Sequence, residues 1–378
     1  MRVASLILSC VFLLVLVFGV NANAKDGAMS KEDWEELVGT LPDTAAELIG
    51  DEALESCNSF GEAVKELSSP QAVVKRILEI CGVQLEEAVK LFCILCALLV
   101  ICSAFNTTSE SISNGLLSSA VRFCTSGSIF AAVVYTLYTQ FENVESFFST
   151  LGGLMRGMIP ACASIWAMGG NISTASTGSA TLYVILVVCE ELFGKSVIPV
   201  CCLMSVLGLC DAMSGEMKTG RMMSAIKKIY NFLLCAVMAL LLSSLSAQNV
   251  ICAAADSAAA RTAKFLSGSV IPVIGGSVGE TLRTVMGSVS YLKSVFGVGG
   301  IIMIMILVLP VLISVLMVRG VFLLCAGLAD MLGCPNEAKL LENLSEVYGT
   351  MLAVICVVAV TFILSLCVFI QTVIAVTS

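Results

Sequence analysis

The sequence predicts an all-α, polytopic membrane protein with one broken or re-entrant helical element and a small exported helical segment. Three observations predict it. Of 378 residues, 58% are hydrophobic and only 13% charged, far more apolar than a soluble chain. The apolar residues come in long runs divided by short polar loops, the pattern of helices that cross a bilayer. One stretch, Arg261 to Val289, is apolar yet carries Gly268, Pro272, Gly275, Gly276 and Gly279 too close together for one unbroken helix.

Taken in order, Met1 to Ala24 reads as an export signal: Arg2, an apolar core through Val20, then Ala22-Asn23-Ala24 as a cleavage site, with an uncleaved anchor as the alternative. Residues 25–87 then lie outside the cytoplasm. They hold five Lys/Arg against fifteen Asp/Glu, and residues 88–378 hold fourteen against thirteen, so the acidity of the chain is concentrated in the exported segment. That charge reads as a solvated surface. Trp34, Leu37, Val38 and Leu41 mark one helical face, and Leu54, Cys57, Phe60, Val64 and Leu67 another. Ser68-Ser69-Pro70 is a helix start, with Ser69 as cap and Pro70 in the first turn. So short a segment makes a marginal core and is expected to lean on the membrane body or on a partner.

The membrane domain, 88–378, is expected to have about eight spans: 88–105, 118–139, 151–168, 179–194, 196–213, 229–250, 297–318 and 350–374. Lys218, Arg221, Lys227 and Lys228 gather in and beside the loop 214–228, which this order puts in the cytoplasm, as the positive-inside rule asks. The run Val321–Leu332 is too short to span and is expected at the surface or as a re-entrant piece. Arg319 and Asp211, near span ends, are expected to snorkel. Arg156 interrupts an apolar run at a cost of ~3 kcal/mol on insertion scales, so it is expected to face protein or water.

Several functions are excluded or weakened by composition. There is no histidine, which removes histidine acid–base chemistry and His-based metal or haem ligation. No basic patch points to nucleic acid. Most of the eighteen cysteines, Cys93, Cys96, Cys102, Cys189, Cys201 and Cys325 among them, sit in apolar runs, where cysteine acts as a small hydrophobe. Cys57 and Cys81 fall in the exported segment, and whether they pair is left open. Gly194-Lys195-Ser196 imitates the end of a phosphate loop, but position 189 is Cys and Glu190 and Glu191 would repel phosphate. Gly153 with Gly157, and Gly275 with Gly279, have the spacing of close helix contact, with local flexibility as the alternative. No nucleophile has a base beside it, so the chain is not expected to be an enzyme or to need a cofactor.

The stretch Arg261–Val289 reads as a helix, a Pro-Val-Ile-Gly-Gly break and a second helix, or else as an interfacial loop joining two spans. Its run T-A-K-F-x-x-G-x-x-I-P-V-I-G-G, Thr262 to Gly276, resembles the stage III sporulation protein AE family. The layout of signal, short exported segment and multi-span body resembles that family too. The resemblance implies a protein made in the mother cell during endospore formation and seated in the outer membrane around the forespore. It further implies a polytopic core component of a secretion-like channel complex with stage III sporulation proteins AA to AH and stage II sporulation protein Q. The motif maps onto Lys264, Phe265, Gly268, Pro272, Gly275 and Gly276, the expected gating or lining element. A solute permease built around a broken helix and a passive scaffold of the same complex are the alternatives, and a homo-oligomer is compatible with each.

Overall fold

The structure, a computed structural model, describes residues 70–111, 115–213, 219–270 and 275–371, with side chains chiefly in 84–108, 120–213, 219–258 and 296–371. The signal 1–24, most of the exported segment and the Cys57–Cys81 question lie outside the described residues. Every described element is helical: α1 Pro70–Ser111, α2 Gly115–Met168, α3 Ile172–Val187, a π-helical turn Val188–Gly194, α4 Lys195–Met213, α5 Thr219–Val270, α6 Gly275–Met331 and α7 Pro335–Gln371. Helix α1 opens at Pro70, where the fixed φ and missing N–H of proline suit a first turn.

Among the described residues, six helical stretches are long and apolar enough to cross a membrane: Gln84–Thr108, Ala120–Met168, Ile172–Met213, Thr219–Ala258, Phe296–Met331 and Pro335–Ile370. The eight expected spans therefore fall on six. Spans 118–139 and 151–168 join as α2 because the polar residues between them are surface rather than loop. Val144, Phe147, Phe148 and Leu151 are buried there at helical spacing, and nothing from Gln140 to Thr150 is Gly or Pro. At ~1.5 Å per residue α2 is roughly 80 Å long, well over the ~30 Å of a hydrocarbon core. Spans 179–194 and 196–213 join through the π turn. The run 321–332 is neither superficial nor re-entrant: it continues α6 as far as Met331, and Phe322, Cys325 and Ala329 are buried.

Two tight reversals hold the ends together, each with a glycine at positive φ where a side chain would be strained. Gly170 (φ 80°) closes α2, with Asn171 N–H donating to Trp166 O at 3.0 Å. Gly333 (φ 75°) closes α6, with Cys334 N–H donating to Ala329 O at 2.9 Å.

Helices α6 and α7 form the central hairpin. About half of their most apolar windows is buried, 50% and 56%, against 22–33% for the other four, so α1 to α5 pack around them. Glycines set the closest approaches: an added Cβ at Gly297 would lie 2.3 Å from Ile370 Cγ1, and one at Gly300 would lie 2.1 Å from Met158 Cε. Trp166, Phe296 and Phe369 pack edge to face at the far end, with Trp166 and Phe369 centroids 5.1 Å apart. Phe322 and Tyr348 do the same nearer the hairpin turn, at 5.2 Å.

Candidate functional site

The broken element comes first, because the sequence motif lies on it. Helix α5 stops at Val270 and α6 begins at Gly275. Lys264, Phe265 and Gly268 belong to the last turns of α5, while Gly275 and Gly276 open α6. Pro272 lies outside the described residues. Gly268 and Gly279 lie inside helices, and Gly275 and Gly276 have helical backbone, while the rest of the expected Pro-Val-Ile-Gly-Gly break lies outside the described residues.

Arg156 lies on a different element, α2. Its guanidinium Nη2 binds both carboxylate oxygens of Glu190, which the π turn presents from the neighbouring segment. A π turn carries an extra residue within the helix, and such turns often mark functional places. Gly152, one turn before Arg156, makes room: a Cβ there would lie 3.1 Å from the Glu190 carboxyl carbon. Lys195 closes the same turn by donating to Glu191 Oε2 at 2.6 Å, so the phosphate-loop imitation is an ordinary helical ion pair. Arg156 therefore has a protein partner, as its place in an apolar run requires. Gly157 faces open space, so Gly153 and Gly157 do not form a seam inside this chain at that residue.

Four further polar contacts were not legible in the sequence. Asp256 of α5 accepts Ser173 N–H at 2.9 Å, Thr174 N–H at 3.0 Å and the Thr174 hydroxyl at 2.8 Å. It thereby caps α3, whose own N-cap residue, Asn171, makes no side-chain cap bond, and its charge suits the positive end of the helix. Lys227 of α5 pairs with Glu346 of α7. Asp211 accepts Gly220 N–H at 2.7 Å, tying α4 to the start of α5 rather than reaching freely to an interface. Arg319 lies across Gly349 of α7, its Cζ 3.3 Å from where a Cβ would stand, with Nε buried.

Cys96 of α1 packs against the buried core and Cys325 of α6 is buried in it, both as free thiols, so the Cys93–Cys96 spacing goes with packing. Among the described residues, no three Cys, Asp or Glu side chains gather as metal ligands. Lys293, just before the apolar part of α6, stands 5.9 Å from the centre of the Phe369 ring, and burial lowers its pKa to about 8. What the described chemistry offers is a set of buried and half-buried charges joining helices, not a reacting centre.

Comparison with known proteins agrees with this architecture. The family model described as stage III sporulation protein AE matches residues 58–373. Stage III sporulation protein AE of Bacillus subtilis (strain 168) is 26% identical over 222 residues, covering 58% of this chain and 55% of that relative, so the match spans about half the relative's length. No solved structure matches. The chain belongs to the stage III sporulation protein AE family: it is a multi-pass membrane protein of sporulation.

Proposed function

We propose that, within this family, the chain is a membrane core component of a secretion-like channel complex between mother cell and forespore, required for endospore formation. In that role it is made in the mother cell, sits in the outer forespore membrane, and assembles with stage III sporulation proteins AA to AH and stage II sporulation protein Q. The motif Thr262–Gly276 is its gating or lining element.

The observation that supports this reading is the coincidence of motif and interruption. Two helices that are otherwise long end and begin inside the motif, between Val270 and Gly275. Pro272, with Gly268, Gly275 and Gly276 about it, disfavours a continuous helix by sequence, and a break among apolar helices is tolerated only against protein or in a watery cavity, which is what a gate or lining provides.

The test is recovery of the tagged protein from sporulating cells in mild detergent, for the wild type and for a Gly275→Val, Gly276→Val double variant. The wild type is expected in a large particle with other stage III proteins, and the variant in the same particle but with sporulation lost. Wild type recovered alone as a small oligomer would remove the complex and favour a solute permease. A variant that sporulates normally would remove the gating role.

A further inference from the structure

Two flanks of this bundle expose large apolar side chains, and they do so at different heights. On one flank α1 exposes Ile94, Val100, Ile101 and Phe105, and the start of α2 exposes Phe123 and Val134. On the other, α5 exposes Ile229, Phe232, Leu240, Val250 and Ile251. Helix α1 packs on α6 and α2, whereas α5 packs on α3, α4 and α7, so the flanks stand at opposite ends of the bundle's cross-section.

Contacts between helices fix the heights. Ser103 Oγ of α1 donates to Leu332 O at 2.8 Å, just past the end of α6 at Met331. Helix α1 can then pack along α6 only by running parallel to it, which puts Ile94 level with Leu323. Gln140 of α2 bonds Ser314 at 3.0 Å and Met158 meets Gly300, so Ser149 stands near Leu307. Leu240 stands at about that height too: Met238 lies 3.9 Å from Cys189, whose neighbour Glu190 holds Arg156 of α2. Ile94 and Leu240, each midway along its flank, are therefore offset by about 15 residues of α6, ~22 Å.

Both flanks end in polar borders of the kind found at a membrane surface. Glu86 and Lys90 pair on the outside of α1 at 2.7 Å, and Tyr135 and Tyr138 of α2, 78% and 66% exposed, stand at nearly the same height. Past Tyr138, α2 exposes no large hydrophobic side chain before Met168, and carries Glu142, Glu145, Ser149 and Arg156 on its surface instead. The α5 flank runs between Lys227 and Lys228 at one end and Asp256 at the other. An upright bundle can put only one flank in hydrocarbon, and the other then meets water as a large apolar patch, which soluble surfaces avoid.

We infer that the bundle sits obliquely in the bilayer, with lipid against both flanks, while the outer face of α2 from Glu142 to Ser164 stands clear of it in water. The flanks are about three helix spacings apart, ~24–30 Å, so a ~22 Å offset asks for a tilt of roughly 35–40°, the upper end of the range for spanning helices. At that tilt Gln84–Thr108 and Ile229–Ile251, ~37 and ~33 Å along their axes, cover about 25–30 Å of depth, one hydrocarbon core. The apolar stretches Phe296–Met331 and Pro335–Ile370 have 36 residues each. At ~54 Å they are too long for an upright crossing, and tilting is how an overlong span is accommodated. Arg156 then meets water rather than hydrocarbon, which costs far less. Nothing in this seating depends on the channel reading.

The full-length chain carrying Trp34→Phe, reconstituted in phosphatidylcholine vesicles, keeps only Trp166, which is buried and gives the background emission. Into it Ile94→Trp, Leu240→Trp and Ser149→Trp are introduced one at a time. Depth is read by quenching with lipid brominated at mid-chain and, separately, with aqueous iodide. Ile94→Trp and Leu240→Trp are both expected to lose most of their emission to the bromine and little to iodide. Ser149→Trp is expected to do the reverse, although it stands at the height of Leu240. If bromine quenches only one of Ile94→Trp and Leu240→Trp, the bundle is upright or protein covers a flank, and the oblique seating is overturned. If bromine quenches Ser149→Trp, the outer face of α2 meets lipid and the seating fails as well. If neither quencher reaches Ser149→Trp, dry protein covers that face, and its standing in water is wrong. Phe123→Trp and Phe232→Trp, aromatic for aromatic, repeat the comparison of the flanks should a first variant fail to fold.

Discussion

The inner and outer faces of α2 run side by side through the same bundle and obey different rules. Inward, Val144, Phe148, Leu151, Met155, Met158 and Trp166 are buried against the central hairpin and α3. Outward, the same turns carry glutamates, serines and an arginine. The inner face is set by volume: a methyl group added to Gly300 has nowhere to go. The outer face is open: Gly157 meets nothing within 4 Å. The contrast separates what holds the bundle together from what it presents, and it can be probed one side at a time.

The largest effect is expected from emptying the inner face. Trp166 packs edge to face on Phe369 and also fills the space above Gly178, where a Cβ would lie 2.8 Å from its ring. Trp166→Ala should cost about 3–5 kcal/mol, the range for removing a buried aromatic, seen as a lower midpoint in SDS-titrated unfolding followed by circular dichroism. Overfilling the same face should cost less. In Gly300→Ala the flexible Met158 tip moves, but Leu366 Cδ1 also stands 3.0 Å away, so a loss of about 1–3 kcal/mol is expected in the same titration.

A smaller effect comes from the one lysine set against this inner packing. Lys293 has its pKa lowered by burial from 10.5 to about 8, so between those values the unfolded chain holds the extra proton. Stability should therefore rise as pH increases from about 8 to about 10, and Lys293→Met should flatten that slope. Trp166 fluorescence in a Trp34→Phe background follows the change, since both Trp166 and Lys293 touch Phe369. The smallest effect belongs to the outer face. Gly157→Ala meets open space and gains helix propensity, so stability should rise by up to about 1 kcal/mol. A loss as large as that of Gly300→Ala would mean that the two faces do not differ as described.

Hydropathy made the helical class legible and placed an apolar run on each of the six long helices described, and Ser69-Pro70 marked the start of α1. It misled where polarity and burial part company. Glu142, Asn143, Glu145 and Ser146 read as a loop because they are polar, although Val144, Phe147, Phe148 and Leu151 between them keep helical spacing. The join at Val188–Gly194 was hidden because Glu190, Glu191, Gly194 and Lys195 read as a polar break between two spans, whereas a π turn carries the helix through them. Arg156 was legible as a costly charge, but Glu190, thirty-four residues on, was not legible as its partner. Two adjacent carboxylates, Glu190 and Glu191, in the next apolar run were the available signal. Asp256 gave less warning still, since its role as a cap depends on α3 arriving from 82 or 83 residues away. The break expected near Pro272 rests on the local sterics of proline and clustered glycine, and Pro272 lies outside the described residues.

The cap at Asp256 also has a mechanical meaning. The part of α5 beyond it, from Asp256 to Val270, is a rigid arm ~21 Å long that ends at the interruption. Its inner end is pinned to the first turn of α3 by three hydrogen bonds. Displacement of the Val270 end of that arm is therefore passed to α3 through the pin. At its other end α3 runs into the turn that holds Glu190 against Arg156.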